Sequence, residues 1–256
     1  MIHSTVIIDS TSSVDENVKI GPYTVIGPNV SIGSGTVIGS HVTINGTTTI
    51  GKNNRIYQFA SVGEDPQDRK YAGELSYLEI GDNNEIREFT TIHRGTTQDK
   101  NITSIGSGNL FMAYTHVAHD CVIADDVILA NAASLGGHVH IGSHVILGGF
   151  SIVHQFCHLG DHCFSAMGSA ISKDVPPYVM VGGRPTKPHG INSVGLDRRG
   201  FSQETILQIK RAYKTLYKSG LSLVDASNEL AEMAKSEPEL NIVVDFLKES
   251  NRSILR

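Results

Sequence analysis

Several things are scarce in this 256-residue sequence, and each scarcity closes a route. There is no Trp, and aromatic residues make up only 6%, so a core has to be built from aliphatic side chains. Charged residues are held to 18% and the formal net charge is −5. That balance argues against a disordered chain and offers no basic footprint for nucleic acid. No apolar run approaches the roughly 20 residues that a membrane-crossing helix needs, so no transmembrane segment is expected. Met1 leads into I-H-S-T-V-I-I-D without a basic region, a long apolar stretch or a small-residue cleavage site, so no signal peptide is expected. Cysteine is limited to Cys121, Cys157 and Cys163, with no C-x-x-C pair, which suits a reducing cytoplasm.

What the chain does have is glycine, Ile and Val in a beat of six. Counting from Ile8 gives Ile8, Val14, Ile20, Ile26, Ile32, Ile38, Ile44, Ile50, Ile56 and Val62 without a slip. The fifth residue of each unit is small or β-branched, as in Thr24, Val30, Thr36, Val42 and Thr48. Neither a helical period nor simple alternation gives this pattern; the hexapeptide repeat of a parallel β-helix does. Three hexads make one triangular coil, so residues eighteen apart stack, one strand spacing of about 4.8 Å higher. The beat resumes at Ile80, Ile86 and Ile92, then runs from Ile105 to Ile171 with one weak member, Ser165. Two departures predict loops projecting from the coil, at about 64–78 and about 95–104. The first is polar where aliphatics are wanted; the second follows a spacing of thirteen, one more than two hexads. Loops on a rigid scaffold commonly carry binding groups.

The pattern stops at D-V-P-P-Y, where paired prolines deny a strand its donors. The expected division is a β-helix over 1–186 and a helical domain over 187–256. The segment G-G-R-P-T-K-P-H-G-I-N reads as an irregular linker to three helices. Ser202 caps the first, with Ile206, Ile209, Tyr213, Leu216 and Tyr217 as its apolar stripe. Ser222 with Asp225 opens the second, and Pro238 the third. Residues 184–218 hold eight Lys or Arg against Asp197 and Glu204, a basic region in an acidic protein.

One turn of the repeat is ionisable where its neighbours are neutral. In T-H-V-A-H-D-C-V-I, His119 and Asp120 are the third and fourth residues of the hexad that begins at Val117. One coil up, the same two columns hold Gly137 and His138, and His116 lies just before them. A carboxylate beside an imidazole fixes its tautomer and suits it to general-base work. His41, His140, His144, His158 and His162 read as scattered surface residues. Clustered histidines also raise a zinc site, as in a γ-type carbonic anhydrase. That chemistry wants three neutral imidazoles around one open position, which an acidic neighbour and a glycine column fit less well. The cysteines all fall at fifth positions and read as small core residues, not nucleophiles.

The motifs I-Y-Q-F-A-S-V-G-E, Q-D-R-K-Y-A-G-E, T-I-H-R-G-T, H-V-A-H-D-C, V-H-Q-F-C, K-D-V-P-P-Y and G-L-D-R-R-G-F-S span nearly the whole chain. Together they resemble the bacterial UDP-N-acetylglucosamine O-acyltransferases, which open lipid A biosynthesis. The resemblance implies a left-handed parallel β-helix with a C-terminal α-helical domain, assembled as a homotrimer with sites between subunits. It implies transfer of a 3-hydroxyacyl chain from acyl carrier protein, an acidic partner, to the 3-hydroxyl of UDP-N-acetylglucosamine, with no cofactor and no metal. By the same resemblance His119 is the general base, Asp120 its partner and the Gly137 amide an oxyanion donor. Substrate contacts carry over to Gln67, Asp68, Lys70, His116, His138, His154, Gln155, Asn192, Arg198 and Arg199. Met167 matches a position that limits acyl-chain length, and bulk there implies a decanoyl-class donor. The sequence departs from the family at Val194, where Glu is usual, and at G-G-R-P, where G-N-x-A is usual. A related N-acyltransferase of the pathway shares the repeat but carries an additional N-terminal domain.

Overall fold

The computed structural model describes residues 1–250 and 253–256. Each hexad supplies a short strand ending on its apolar beat, followed by a turn. Each strand pairs in parallel with its counterpart one coil later: Ile20 faces Ile38, Val117 faces Leu135 and Ile123 faces Ile141. Three sheets result, of nine, eight and ten strands among the described residues, parallel except for the last strand of the third. They wrap one core as a left-handed parallel β-helix. From Ile20 to Ile171 the beat residues are at most 4% exposed, each such burial contributing roughly 1.5–3 kcal/mol. Ser165, the weak member, is tolerated because its hydroxyl meets Ser151 Oγ at 2.9 Å. Fifth-position threonines are buried with their hydroxyls satisfied; Thr24 Oγ1 donates to the Gly39 carbonyl at 2.8 Å.

The corners are turned by fourth-position residues in the left-handed region, among them Tyr23 at φ 60°, His41 at 55°, Asp120 at 58° and His138 at 60°. A non-glycine residue there costs about 1–2 kcal/mol, and stacking along each edge offsets it. On one edge Tyr23, His41, Phe59, Phe89 and Tyr114 stack with ring centroids 4.8–5.3 Å apart. On the second, His144 stacks on His162 and His162 on Tyr178. On the third, His138 stacks on Phe156 at 4.4 Å.

Both loops leave from that third edge. Val62 pairs with Ile92, thirty residues on, and Ile92 with Val117, twenty-five on. These are twelve and seven more than the eighteen of an uninterrupted coil. The second departure is therefore a seven-residue insertion in a single corner; Ile102–Ile105 is the very next side of the triangle after Thr91–His93. Strands resume at Tyr77 and Ile102, leaving 65–76 and 94–101 as the projecting segments. Arg94, 7% exposed, ties them together by donating to the Gly63 carbonyl, the Asp65 carboxylate and Tyr71 Oη.

Beyond the coil, the structure corrects two expectations. The segment read as an irregular linker is a hairpin: Lys187–Ile191 pairs antiparallel with Val179–Gly182 and ends the ten-stranded sheet. Its Pro188 is accepted because this is an edge strand. Among the described residues four α-helices follow instead of three: α1 (Ser193–Arg198), α2 (Gln203–Lys218), α3 (Leu223–Ala234) and α4 (Asn241–Glu249). The extra one, α1, is six residues long, too short to show a period. Ser202 and Ser222 accept from the Thr205 and Asp225 amides as caps. Pro238 opens a 3-10 turn that runs into α4. Leu196, Ile206, Ile209, Leu216, Leu230, Leu240 and Val243 form the helical core.

Candidate active site

The strict eighteen-residue register brings His119, Asp120, Gly137 and His138 together. Asp120 turns the corner after Val117, and its carboxylate Oδ2 lies 2.9 Å from His119 Nδ1. His138, directly above in the Asp120 column, meets His119 edge to face at 5.1 Å between centroids. Its Nε2 is 3.8 Å from the same Asp120 oxygen. Gly137 is the floor on which the imidazole lies: a Cβ built there would sit 2.6 Å from His119 Cε1 and 2.8 Å from Nε2. The absence of a side chain at 137 is thus a spatial requirement. Nδ1 is turned to the carboxylate, and Nε2 lies over Gly137. The Gly137 N–H makes no backbone hydrogen bond among the described residues.

Asp120 is 2% exposed, and a buried carboxylate needs donors. It has them from the second loop: the Thr96 amide donates to Oδ1 at 2.8 Å and Thr96 Oγ1 to Oδ2 at 2.6 Å. Its own amide donates to Thr103 Oγ1 at 2.8 Å. The same loop supplies Asp99, whose Oδ2 lies 2.9 Å from His138 Nδ1. Thr96, Asp99 and Thr103 were not singled out by the sequence. The loop itself was, but the insertion breaks the column arithmetic that would have paired its residues.

Burial pushes the Asp120 carboxyl upward, yet the bonds from His119 and Thr96 and the nearby His138 outweigh it and leave it below its ordinary value. His116 is held below the ordinary histidine range by burial and by His119; its Nδ1 is 2.7 Å from Thr91 Oγ1. His93, beneath it, is driven down to about 4 by burial and by the histidines His116 and His119. These imidazoles are neutral near pH 7. Burial drives the Cys121 thiol up to about 12, and all three cysteines are buried, as core residues should be.

The other expected contact residues occupy several places. Gln67 and Lys70 are exposed on the first loop, and Asp68 Oδ1 accepts from the Lys70 amide there. Lys70 Nζ reaches Gln98 Oε1 at 3.2 Å, joining the two loops. His154 and Gln155 are exposed one coil above Gly137, on the same edge as His119. Asn192 and Arg199 belong to another edge. Asn192 caps α1 by accepting from the Gly195 amide at 3.1 Å and donates to the His162 carbonyl at 3.0 Å. Arg199 donates to the carbonyls of Gly195 and His144, so both residues are engaged in holding the first helical turn. Arg198 is exposed and shares an open groove of about 380 Å³ with Ile146, Phe164, Met180 and Val194. Met167, 78% exposed, follows Phe164–Ser165 and lies on the remaining edge, that of the aromatic stack. One chain therefore distributes the expected contacts over all three edges of the prism. Of the histidines read as scattered, His41 belongs to the aromatic stack, and His140 lies over His158 at 4.3 Å.

The ligand atoms of His119, Asp120 and His138 lie within 4.8 Å of one another. That set offers two imidazoles and a carboxylate already committed to three hydrogen bonds, not the three converging imidazoles of a zinc hydratase.

A family model described as UDP-N-acetylglucosamine O-acyltransferase, domain 2, matches residues 174–255. One described as bacterial transferase hexapeptide (six repeats) matches 11–46. The acyl-[acyl-carrier-protein]--UDP-N-acetylglucosamine O-acyltransferase of Herminiimonas arsenicoxydans is 53% identical over 100% of this chain and 99% of its own length. That of Stutzerimonas stutzeri is 52% identical with the same coverage. Among solved structures, the UDP-N-acetylglucosamine O-acyltransferase of Moraxella catarrhalis superposes with a TM-score of 0.98 at 49% identity, over 100% of this chain and 99% of that one.

Proposed function

The chain belongs to the UDP-N-acetylglucosamine O-acyltransferases, and from that premise we propose how its residues perform the transfer. The donor is a 3-hydroxyacyl thioester on acyl carrier protein, the acceptor the 3-hydroxyl of UDP-N-acetylglucosamine, and the reaction opens lipid A biosynthesis. His119 Nε2 removes the hydroxyl proton as that oxygen attacks the thioester carbonyl. The Gly137 N–H donates to the oxyanion of the tetrahedral intermediate, the kind of preorganised donor that favours a developing charge. Collapse breaks the carbon–sulfur bond, and the leaving thiolate takes the proton back from His119. Asp120 keeps Nδ1 protonated and the ring oriented, and stabilises the transient imidazolium. No acyl-enzyme, metal or cofactor is involved. The observation that carries this is the His119–Asp120 pair over Gly137, with one imidazole nitrogen held and the other presented.

His116, His138, His154, Gln155, Gln67, Asp68 and Lys70 are the residues that contact the acceptor sugar. Asn192, Arg198 and Arg199 contact the nucleotide end, where the planar donors of an arginine suit a diphosphate. Because Asn192, Arg198 and Met167 lie on other edges than His119, a complete site needs neighbouring chains. This supports a homotrimer, in which the exposed edge of Tyr23, Phe59, Phe89 and Tyr114 is covered by a second copy. No helix among the described residues is long and apolar enough to cross a membrane, and the cytoplasm is the compartment that supplies both substrates.

The test is mass spectrometry of the product formed from UDP-N-acetylglucosamine and a panel of acyl carrier thioesters, with the 3-amino sugar as competing acceptor. His119→Ala is expected to lower kcat by about two to four orders of magnitude while the fold persists, since His119 is outside the stacked core. A folded variant with most of its activity would show that another group is the base.

A further inference from the structure

We infer that Thr96 is a positioning residue for the transfer, acting through Asp120 and resting on the assignment of His119 as base. Asp120 is buried, and both of its oxygens are claimed from the second loop. The Thr96 amide takes Oδ1, and the Thr96 hydroxyl takes Oδ2, the oxygen that also faces His119 Nδ1. Thr96 is itself 1% exposed, so water does not compete for these bonds. The geometry gives the hydroxyl two effects. It fixes the carboxylate plane and hence the rotation of the His119 ring, and it draws charge from the oxygen that stabilises the imidazolium.

Thr96 is in turn held by what surrounds it. Asn101 Nδ2 donates to the Leu75 carbonyl at 2.8 Å, Thr97 Oγ1 to Glu74 Oε1 at 3.2 Å and Lys70 Nζ to Gln98 Oε1 at 3.2 Å. The first loop, with its sugar-contacting residues, therefore braces the second, and the second grips the carboxylate. Among the described residues, the other titratable groups facing the dyad are His116 on the same coil, His93 one coil below, His138 one coil above, the buried Cys121 thiol beside Asp120, and Asp99 acting through His138.

Thr96→Val keeps the shape and the amide bond but removes the hydroxyl donor. The carboxylate becomes more basic, holds a protonated His119 more tightly and so keeps the base charged to higher pH. The expected result is a kcat lower by about ten- to a hundredfold, the factor for a hydrogen bond to a charged group. KM for the nucleotide is expected to hold, and the acid limb of the kcat/KM profile to move up in pH. Thr96→Ser restores the donor and is expected to return both readouts toward those of the unchanged enzyme. The comparison is made on the full-length assembled protein beside His119→Ala. If His119→Ala is inactive while Thr96→Val matches the unchanged enzyme in kcat and pH profile, the inference about Thr96 is wrong and the base assignment stands. If His119→Ala is active, the base assignment itself fails. A Thr96→Val variant that loses kcat and nucleotide affinity together, without a moved acid limb and without rescue by serine, makes Thr96 a packing residue only.

Discussion

Gly137→Ala adds one methyl group and tests the centre of the site. The backbone there is not in the left-handed region, so alanine introduces no conformational strain of its own. Its Cβ, however, would arrive 2.6 Å from His119 Cε1 and 2.8 Å from Nε2. Carbon contacts settle near 3.5–4.0 Å, so the ring must retreat by about 1 Å. Its bond to Asp120 is 2.9 Å long, and such bonds extend only to about 3.2 Å before they weaken; the retreat breaks it. A displacement of about 1 Å at a reacting group costs on the order of a hundredfold, and that is the expected fall in kcat. Stability should change little, by about 1 kcal/mol or about 2–4 °C in Tm, because the ring can swing outward instead of into the core. Steady-state kinetics with an acyl carrier thioester and a thermal melt measure both. The double variant Gly137→Ala, His119→Ala supplies the decisive control. If alanine acts through the imidazole, the double variant is no slower than His119→Ala alone. A folded Gly137→Ala enzyme with unchanged kcat, or a double variant slower by the product of both effects, refutes the reasoning.

Three other outcomes follow from the same geometry. His93, His140 and His162 are held near 4, against an ordinary 6.5, chiefly by burial; below pH 6.5 the unfolded chain binds protons that the folded one refuses. Tm should therefore fall steadily from pH 6.5 to 4, and a flat profile across that window would contradict these burials. Charge reversal at Lys210 or Arg211, both exposed on α2, should raise KM for the acyl carrier protein far more than KM for the nucleotide. Salt should erase much of the difference, since exposed charges are screened beyond about 10 Å at 0.1 M; equal effects on both substrates would place the docking surface elsewhere. At Met167 the thioether should favour 3-hydroxydecanoyl over 3-hydroxymyristoyl donors, because each further methylene gains its roughly 0.8 kcal/mol only where space remains. Met167→Gly should shift the preference to the longer chain, and an unchanged donor profile would remove Met167 as the stop.

The repeat was legible because its register is arithmetic. Once three hexads make a coil, position fixes neighbour, and the meeting of His119, Asp120, Gly137 and His138 follows from counting eighteen. The same arithmetic put the cysteines inside, and they are inside. It failed wherever the count is interrupted. Thr96 reaches Asp120 across twenty-four residues and Asp99 reaches His138 across thirty-nine, separations that no column predicts. The hairpin after Val179 was hidden for a related reason: prolines normally end a strand, but at a sheet edge the missing donor is not needed.

The two missed loop contacts, from Thr96 and Asp99, share a location, and the location has a physical cause. Strands of a β-helix are locked on both sides by their ladders, so an insertion can be absorbed only at a corner. Corner residues already sit in the left-handed region and point outward, where a side chain costs the core nothing. The edge carrying Asp120 and His138 has taken two insertions of twelve and seven residues; the second folds back over that turn, and the first is braced against the second. The result is a carboxylate that is 2% exposed on the outside of a prism whose interior is aliphatic. A regular edge could present an imidazole to solvent but could not bury its partner. The second loop supplies that burial, and with it the donors that keep the carboxylate charged, which is how a structural repeat acquires a paired imidazole and buried carboxylate without disturbing the column of Val117, Leu135 and Val153 beneath it.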